Sequence, residues 1–218
     1  MEDVLGVYEL SEDGKRPVVC LDEGSKEVHG DARAPIAAKP PQEGIAAVPA
    51  REDYEYVREG SAAIFMVYEP LTGRCHAEVS DRRTAKDYAR IVKHLCDTMY
   101  PDADKIVLVQ DNLNTHTIGS LYEAFPPEEA RRLAQRLEIH YTPKHGSWLN
   151  MAEIALRLLS GQCLSQRFPS RERLKAEVAA WQKRNDDAPM KTDWRFTTKD
   201  ARIKLKRLYP RIATAETT

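Results

Sequence analysis

KIVLVQDNLNTH, residues Lys105–His116, is the stretch on which the fold turns. Ile106, Val107, Leu108 and Val109 form an apolar run, Gln110 closes it, and Asp111 comes next. A short continuous apolar run bounded by turn formers reads as a strand buried on both faces. Asn112, Asn114 and Thr115 then carry side chains that bend chains and cap helices. Asp111 therefore stands at the C-terminal edge of a buried strand, where ligands gather in α/β sheets. Two readings are open here: a carboxylate that does chemistry, or a cap for the next turn.

Nearer the N-terminus a second apolar run, Pro17–Asp22 (PVVCLD), also ends on an acid. Gly24 and Ser25 read as a turn after it, and Lys26–Arg33 as a short paired strand. Residues 34–50 hold Pro35, Pro40, Pro41 and Pro49; proline fixes φ and removes donors, so this is a loop or extended arm. Arg51–Glu59 has strand-forming residues, with Gly60 as punctuation. Ser61–Glu69 reads as a strand, Pro70–Gly73 as a turn and Arg74–Ser80 as the antiparallel return. Asp81 and Thr84 are candidate N-caps for a helix to Met99, whose Tyr88, Ile91, Val92, Leu95 and Met99 share one face; Pro101 stops it.

After the central strand, Ile118–Phe125 and Pro127–Leu137 read as helices, Ile139–Thr142 as a short strand and Lys144–Ser147 as a loop. Helices are predicted from Trp148 to about Leu164, from Ser170 to Arg184 with Ser170 as N-cap, and from Thr198 to Leu208. The order predicts an α/β fold: an antiparallel three-strand meander plus two parallel strands in one mixed sheet, flanked by helices. That is the ribonuclease H-like arrangement. The expected organisation is a leader over 1–16, a ribonuclease H-like core over 17–164 with the proline-rich arm at 34–50, and a helical, basic extension over 165–218.

At 218 residues, 42% hydrophobic and 31% charged, the chain can bury a core, and no apolar run approaches the length of a membrane span. Four widely spaced cysteines with no CxxC pair argue against a zinc knuckle or disulfide framework. The net charge is only −1, but its distribution is uneven. Residues 1–13 carry five acids and no base; residues 194–211 carry seven bases (Arg195, Lys199, Arg202, Lys204, Lys206, Arg207, Arg211) against Asp200. Such a segment either touches phosphates or is a solvated helix face.

If strand 17–22 lies parallel to the central strand, Asp22 and Asp111 share one edge of the sheet. Side-chain alternation sends Glu23 to the face opposite Asp22. Glu153 sits one turn into the helix that begins near Trp148, on a polar stripe with Asn150, Arg157 and Ser160. It either faces the sheet edge or pairs with Arg157 on the surface.

The segments VVCLDE, VQDNLNTH and SWLNMAE resemble the DDE transposases of bacterial insertion sequences, in particular the insertion-sequence-six-thirty branch of the mariner superfamily. The likeness runs from about residue 17 to 210. It implies that Asp22, Asp111 and Glu153 are the catalytic metal ligands. Asn112 and His116 match the motif around the second acid, and Asn150 the residue one turn before the Glu. Asn112 or Asn114 would fix the loop. His116 would contact phosphate or orient a ligand, with a buried structural histidine as the alternative. Trp148 reads as a core or hinge aromatic. The spacing of 42 residues between Asp111 and Glu153 exceeds the mariner spacing, with Pro126–Leu137 as the extra length.

The resemblance implies metal-dependent strand cleavage and strand transfer at transposon ends. The cofactor would be two Mg²⁺ or Mn²⁺ ions, since oxygen-only ligands suit these rather than zinc. The partners would be double-stranded DNA (transposon ends, a TA-type target) and a second copy in a synaptic dimer, with contacts through the proline-rich arm. The setting would be the bacterial cytoplasm, at the nucleoid. The basic segment, Arg195, Lys199, Arg202, Lys204, Lys206 and Arg207, would touch DNA. No helix-turn-helix fits before the first strand, which implies a split frame with an upstream DNA-recognition protein, or a truncated remnant. The rival readings are another ribonuclease H-like nuclease and a non-catalytic fragment that binds DNA or oligomerises.

Overall fold

The computed structural model describes residues 1–41, 46–51 and 53–209. Residues 42–45 of the proline-rich arm, Glu52, and the end of the basic segment from Pro210 onward, Arg211 included, lie outside them.

The chain opens with helix α1 (Glu2–Tyr8). Strands β1 (Val18–Asp31), β2 (Tyr56–Tyr68) and β3 (Cys75–Ser80) form the antiparallel meander. Helix α2 (Ala85–His94) continues through a wider π turn over Leu95–Met99 before strand β4 (Ile106–Gln110). Helices α3 (Ile118–Ala124) and α4 (Pro127–Arg136) lead into strand β5 (Leu137–Tyr141). A 3₁₀ turn at Ser147–Leu149 precedes helix α5 (Ala152–Gln162), and α6 (Arg171–Asp187), α7 (Thr198–Lys204) and a 3₁₀ turn at Lys206–Leu208 follow, so the helix expected from Thr198 to Leu208 ends at Lys204. The five-stranded sheet has the order β3-β2-β1-β4-β5, with β4 parallel to both neighbours. This is the mixed sheet expected from the sequence.

All five residues of β4 are buried because both faces of the sheet are covered. Val18, Cys20, Ile64, Met66, Val107 and Val109 pack with α1, α5 and α6 on one face. Val19, Leu21, Phe65, Val67, Ile106 and Leu108 pack with α2, α3 and α4 on the other. The period-2 alternation of β1 and β4 thus feeds two cores, giving a helix–sheet–helix sandwich.

Two glycines read as breaks in the sequence do not interrupt their strands. Gly24 and Ser25, expected in a turn, lie inside β1. A Cβ on Gly24 would come within 3.3 Å of Leu156 Cδ2, so the glycine lets α5 approach the sheet closely. Gly60 lies inside β2 with φ of 92°, at the point where pairing shifts from Glu27–Ser61 to His29–Arg58. That is a β-bulge, which needs a residue at ease with positive φ and lets the strand run on.

The first and last segments are also more integrated than a leader and an extension. Val4 and Leu5 of α1 and Leu174, Val178 and Trp181 of α6 lie in the same core as β1 and β4. Thr84 is the N-cap of α2, in a capping box with Asp87, and Ser170 caps α6 by accepting from Arg173 N. Helix α5 begins at Ala152 rather than Trp148, because Asn150 has extended backbone (φ −82°, ψ 108°).

Candidate active site

The register of the parallel pair places the two aspartates. Val18 pairs with Val107, Val19 with Leu108 and Cys20 with Val109. Continuing that register reaches Asp22 and Asp111, just beyond the last residue of β4. Both side chains fall on the α5 side of the sheet by alternation with Cys20 and Val109, which pack there.

Asp22 is the more buried of the two, and its Oδ1 accepts a hydrogen bond from Glu23 N at 2.8 Å. Burial pushes its carboxyl up to about 6. The Glu23 N–H opposes that rise, and the charges of Asp111, Glu153 and Glu23 add to it. Asp22 therefore senses both other members of the expected triad.

Glu153 occupies the exposed first turn of α5. No ion pair to Arg157 forms among the described residues, so the surface-pair reading has no contact behind it. The helix is fastened to β1 by Asn150, which is 1% exposed. Its Nδ2 donates to Leu21 O at 2.8 Å, next to Asp22, and its Oδ1 accepts from Ala152 N at 3.2 Å. One amide thus ties the start of the Glu153 helix to the Asp22 strand.

His116 is fully buried, which removes the phosphate-contact option. Nδ1 lies 2.5 Å from Asp111 Oδ1, so the ring acts on an expected ligand residue. Nε2 lies 3.1 Å from Glu23 Oε1. Against burial, which lowers it, the carboxylates of Asp111 and Glu23 push the imidazole up to about 9. The loop is further held by Gln110, whose Nε2 donates to His116 O at 2.9 Å while its Oε1 accepts from Tyr88 OH. Tyr141 OH donates to the same carbonyl. Asn112 and Asn114, expected to fix this loop, are exposed and make no side-chain hydrogen bond among the described residues. The sequence motifs assign no role at this site to Gln110 and Tyr88, and alternation sets Glu23 aside as facing the other side of the sheet. The available signal was a glutamine ending an otherwise apolar, two-face-buried run, since a buried amide requires partners.

Beside Asp111 opens a groove of about 500 Å³ lined by Asn112, Thr142, Lys144, His145 and Ser147. His145 adopts φ of 63°, the left-handed region that a non-glycine residue seldom enters. Trp148, expected in a core or hinge, is 43% exposed and meets Phe196 edge-on at 5.9 Å between centroids.

The basic segment is only partly open. Arg202 makes a two-pronged pair with Glu2 (both N···O contacts 2.7 Å), Arg195 pairs with Asp193, and Lys204 lies 3.8 Å from Asp200. Lys199, Lys206 and Arg207 are exposed and make no ion pair among the described residues.

Two aspartates at the ends of parallel strands and a glutamate on the facing helix are the residues a DDE nuclease would require. The family model described as DDE superfamily endonuclease matches residues 17–175, from the start of β1 into α6. The chain belongs to the DDE endonuclease superfamily. It is therefore a nuclease-type catalytic domain, of the class read from VVCLDE, VQDNLNTH and SWLNMAE. Among solved structures, 52 chains match. One is the Mos1 protein in the crystal structure of the Mos1 strand transfer complex, with a TM-score of 0.54 and 17% identity. That match covers 87% of this chain and 55% of the Mos1 chain, so this DDE domain spans little more than half of that protein's length. At that identity the likeness is one of fold. No curated protein sequence matches.

The donor set suits a hard divalent cation. Asp22, Asp111 and Glu153 offer only oxygen, and the Asp22 carboxyl, raised chiefly by burial and further by the charges of Asp111 and Glu153, is one that a cation would stabilise in its ionised form. Among the described residues the three do not converge into a closed ligand cluster. No helix among the described residues is long and apolar enough to cross a membrane.

Proposed function

We propose that this DDE domain is the catalytic domain of a DNA transposase that cuts a DNA strand at the ends of a mobile element and transfers it. The observation that carries the reading is the parallel β1–β4 register leading to Asp22 and Asp111, with the charge of Glu153 acting on Asp22. Asp22, Asp111 and Glu153 are the residues that would hold divalent ions, Mg²⁺ or Mn²⁺, two in number. Bound there, such ions supply activation of the attacking oxygen and neutralisation of charge on the leaving 3′ oxygen.

The chain's own residues prepare that step. Asn150 sets the distance between the Glu153 helix and the Asp22 strand. His116 holds one oxygen of Asp111 and leaves Oδ2 without a hydrogen bond among the described residues. Asp22 has to lose its proton to act as a ligand, so proton and cation would compete for its carboxyl. The reaction breaks a P–O3′ bond and forms a P–O bond, first to water and then to the freed 3′ hydroxyl in transfer. Neither step needs a protein–DNA covalent bond.

The DNA backbone would run over the groove beside Asp111 and the exposed Lys199, Lys206 and Arg207. The arm between β1 and β2 supplies the proposed dimer contact. It is folded back on itself by Ile36–Arg51 and Lys39–Val48 bridges, and Ile36, Tyr54, Tyr56 and Val57 are exposed at and beside its base. A helix-turn-helix protein is a further proposed partner, in the bacterial cytoplasm.

The test is cleavage of duplex DNA taken from either side of the gene, including any terminal inverted repeats found there, with Mg²⁺ or Mn²⁺, by wild type and Asp111→Asn. Metal-dependent nicking at element ends is expected from wild type only. Equal cutting by the variant would end the assignment. Preferential hydrolysis of an RNA–DNA hybrid would move the chain to the ribonuclease H reading.

A further inference from the structure

Two buried side-chain atoms near the site lack a hydrogen-bond partner, Glu23 Oε1 and His116 Nε2, and they face each other at 3.1 Å. Their side chains are 3% and 0% exposed. The other ring nitrogen, Nδ1, touches Asp111 Oδ1 at 2.5 Å. The ring stacks on Tyr88 with centroids 4.8 Å apart and planes 29° from parallel. The His116 backbone is pinned as well: its N–H donates to Leu113 O, and its carbonyl accepts from Gln110 and Tyr141. The imidazole can hardly shift without disturbing several bonds.

Strand β1 thus sends neighbouring acids to opposite faces of the sheet. Asp22 goes to the α5 face, and Glu23 goes to the face of α2 and α3, where it meets the histidine that reaches back to Asp111. A buried carboxylate is costly unless it is paired, and a buried pair is poor evidence for stability as such. A chain of carboxylate, imidazole and carboxylate has a second use. It fixes the orientation of the terminal carboxylate, as partners behind metal ligands do.

We propose that Glu23 is a positioning residue that acts through His116 to hold the Asp111 carboxylate in one orientation for metal binding. This rests on the reading of Asp111 as a metal ligand. Glu23 itself touches neither metal nor DNA.

Three measurements on the full chain test it: Mn²⁺ affinity by electron paramagnetic resonance, Mn²⁺ dependence of DNA nicking, and melting temperature in EDTA. Glu23→Leu replaces the acid with a shorter apolar side chain on a face already lined by Leu21, Tyr88 and Leu121. It should weaken Mn²⁺ binding by about 10- to 100-fold and raise the Mn²⁺ needed for half-maximal nicking in step; because removing one partner of a buried pair also lowers the melting temperature in EDTA, both are measured where the variant is fully folded. A folded Glu23→Leu that binds Mn²⁺ within twofold of wild type would overturn the proposal, whatever its melting temperature, and leave Glu23 as a structural pin. Should Glu23→Leu not fold, Glu23→Gln keeps the length and an acceptor for Nε2. A several-fold loss of Mn²⁺ affinity is expected there, and unchanged affinity overturns the proposal equally. Wild type that binds no Mn²⁺ would instead remove the metal-site reading on which this one stands.

Discussion

Asn150→Ala is the sharpest probe of how the site is assembled. The side chain is buried and makes two hydrogen bonds, to Leu21 O at 2.8 Å and from Ala152 N at 3.2 Å. Each is worth about 0.5–1.5 kcal/mol net, and a buried group left without a partner costs about 1–3 kcal/mol. With Ala152 N able to rebond within the first turn of α5, the sum is a loss of about 2–4 kcal/mol in unfolding free energy. Urea titration monitored by Trp fluorescence measures it. The functional effect should exceed what stability explains, because the broken bond is the one between the Glu153 helix and the Asp22 strand. A misplacement of about 1 Å at a reacting centre can cost about 100-fold in rate. Nicking at a temperature where the variant is fully folded should therefore fall by roughly that factor. Asn150→Asp is the control. It keeps the acceptor for Ala152 N, loses the donor to Leu21 O and adds a fourth negative charge near Asp22, so it should cost activity at least as heavily. An Asn150→Ala protein that loses under about 1 kcal/mol and nicks at the wild-type rate would refute the claim that this amide joins helix to strand.

Two further outcomes are expected. The raised Asp22 carboxyl means that, between its ordinary value near 4 and about 6, the folded chain binds more protons than the unfolded one; metal-free stability should fall as pH rises through that window and stay low above it. The loss is up to about 3 kcal/mol, at 1.36 kcal/mol per pKa unit, so Asp22→Asn in EDTA should match wild type near pH 4 and exceed it in urea midpoint at pH 7. At the basic end, replacing Lys199, Lys206 and Arg207 by Ala should flatten the salt dependence of DNA binding by about 0.9 in log–log slope for each phosphate no longer neutralised, whereas Glu2→Ala, which frees Arg202, should steepen it. Unchanged slopes in both would return the segment to a solvated helix face.

The strand order and the two aspartates were legible because they rest on short-range signals. The apolar runs 17–21 and 106–109 end on acids, and a parallel pair needs a crossover such as the one α2 provides. The caps Thr84 and Ser170 are local in the same sense, each being settled by the next three residues of the chain. Gly24 and Gly60 misled for a corresponding reason. Glycine marks a turn in sequence, but here one makes room for Leu156, a residue distant in sequence, and the other serves a bulge defined only by the partner strand. The role of His116 was hidden in the same way. Its spacing from Asp111 says that the two can meet, and nothing local says that the other ring nitrogen faces an acid on β1.

Glu23 shows how far a local rule reaches. Alternation sends it away from the α5 side of the sheet, where Asp22 and Asp111 lie, and the same alternation is what delivers it to His116 on the other side. A residue rejected as a ligand because of where its strand points is, by that geometry, well placed to act on a ligand from behind. Of the six bases expected at the DNA surface, Arg202 carries the matching lesson. The count of charges in 195–207 is a sequence property. Whether a guanidinium is available to phosphate depends on Glu2, at the far end of the chain, packed there by the contact of α1 with α7. Because that pair is solvent-exposed, it gives up little when broken, and phosphate can compete for Arg202 as DNA arrives. On the proposed DNA contact the acidic start of the chain would act as a competitor for Arg202, so the salt slope of Glu2→Ala would read out that exchange directly.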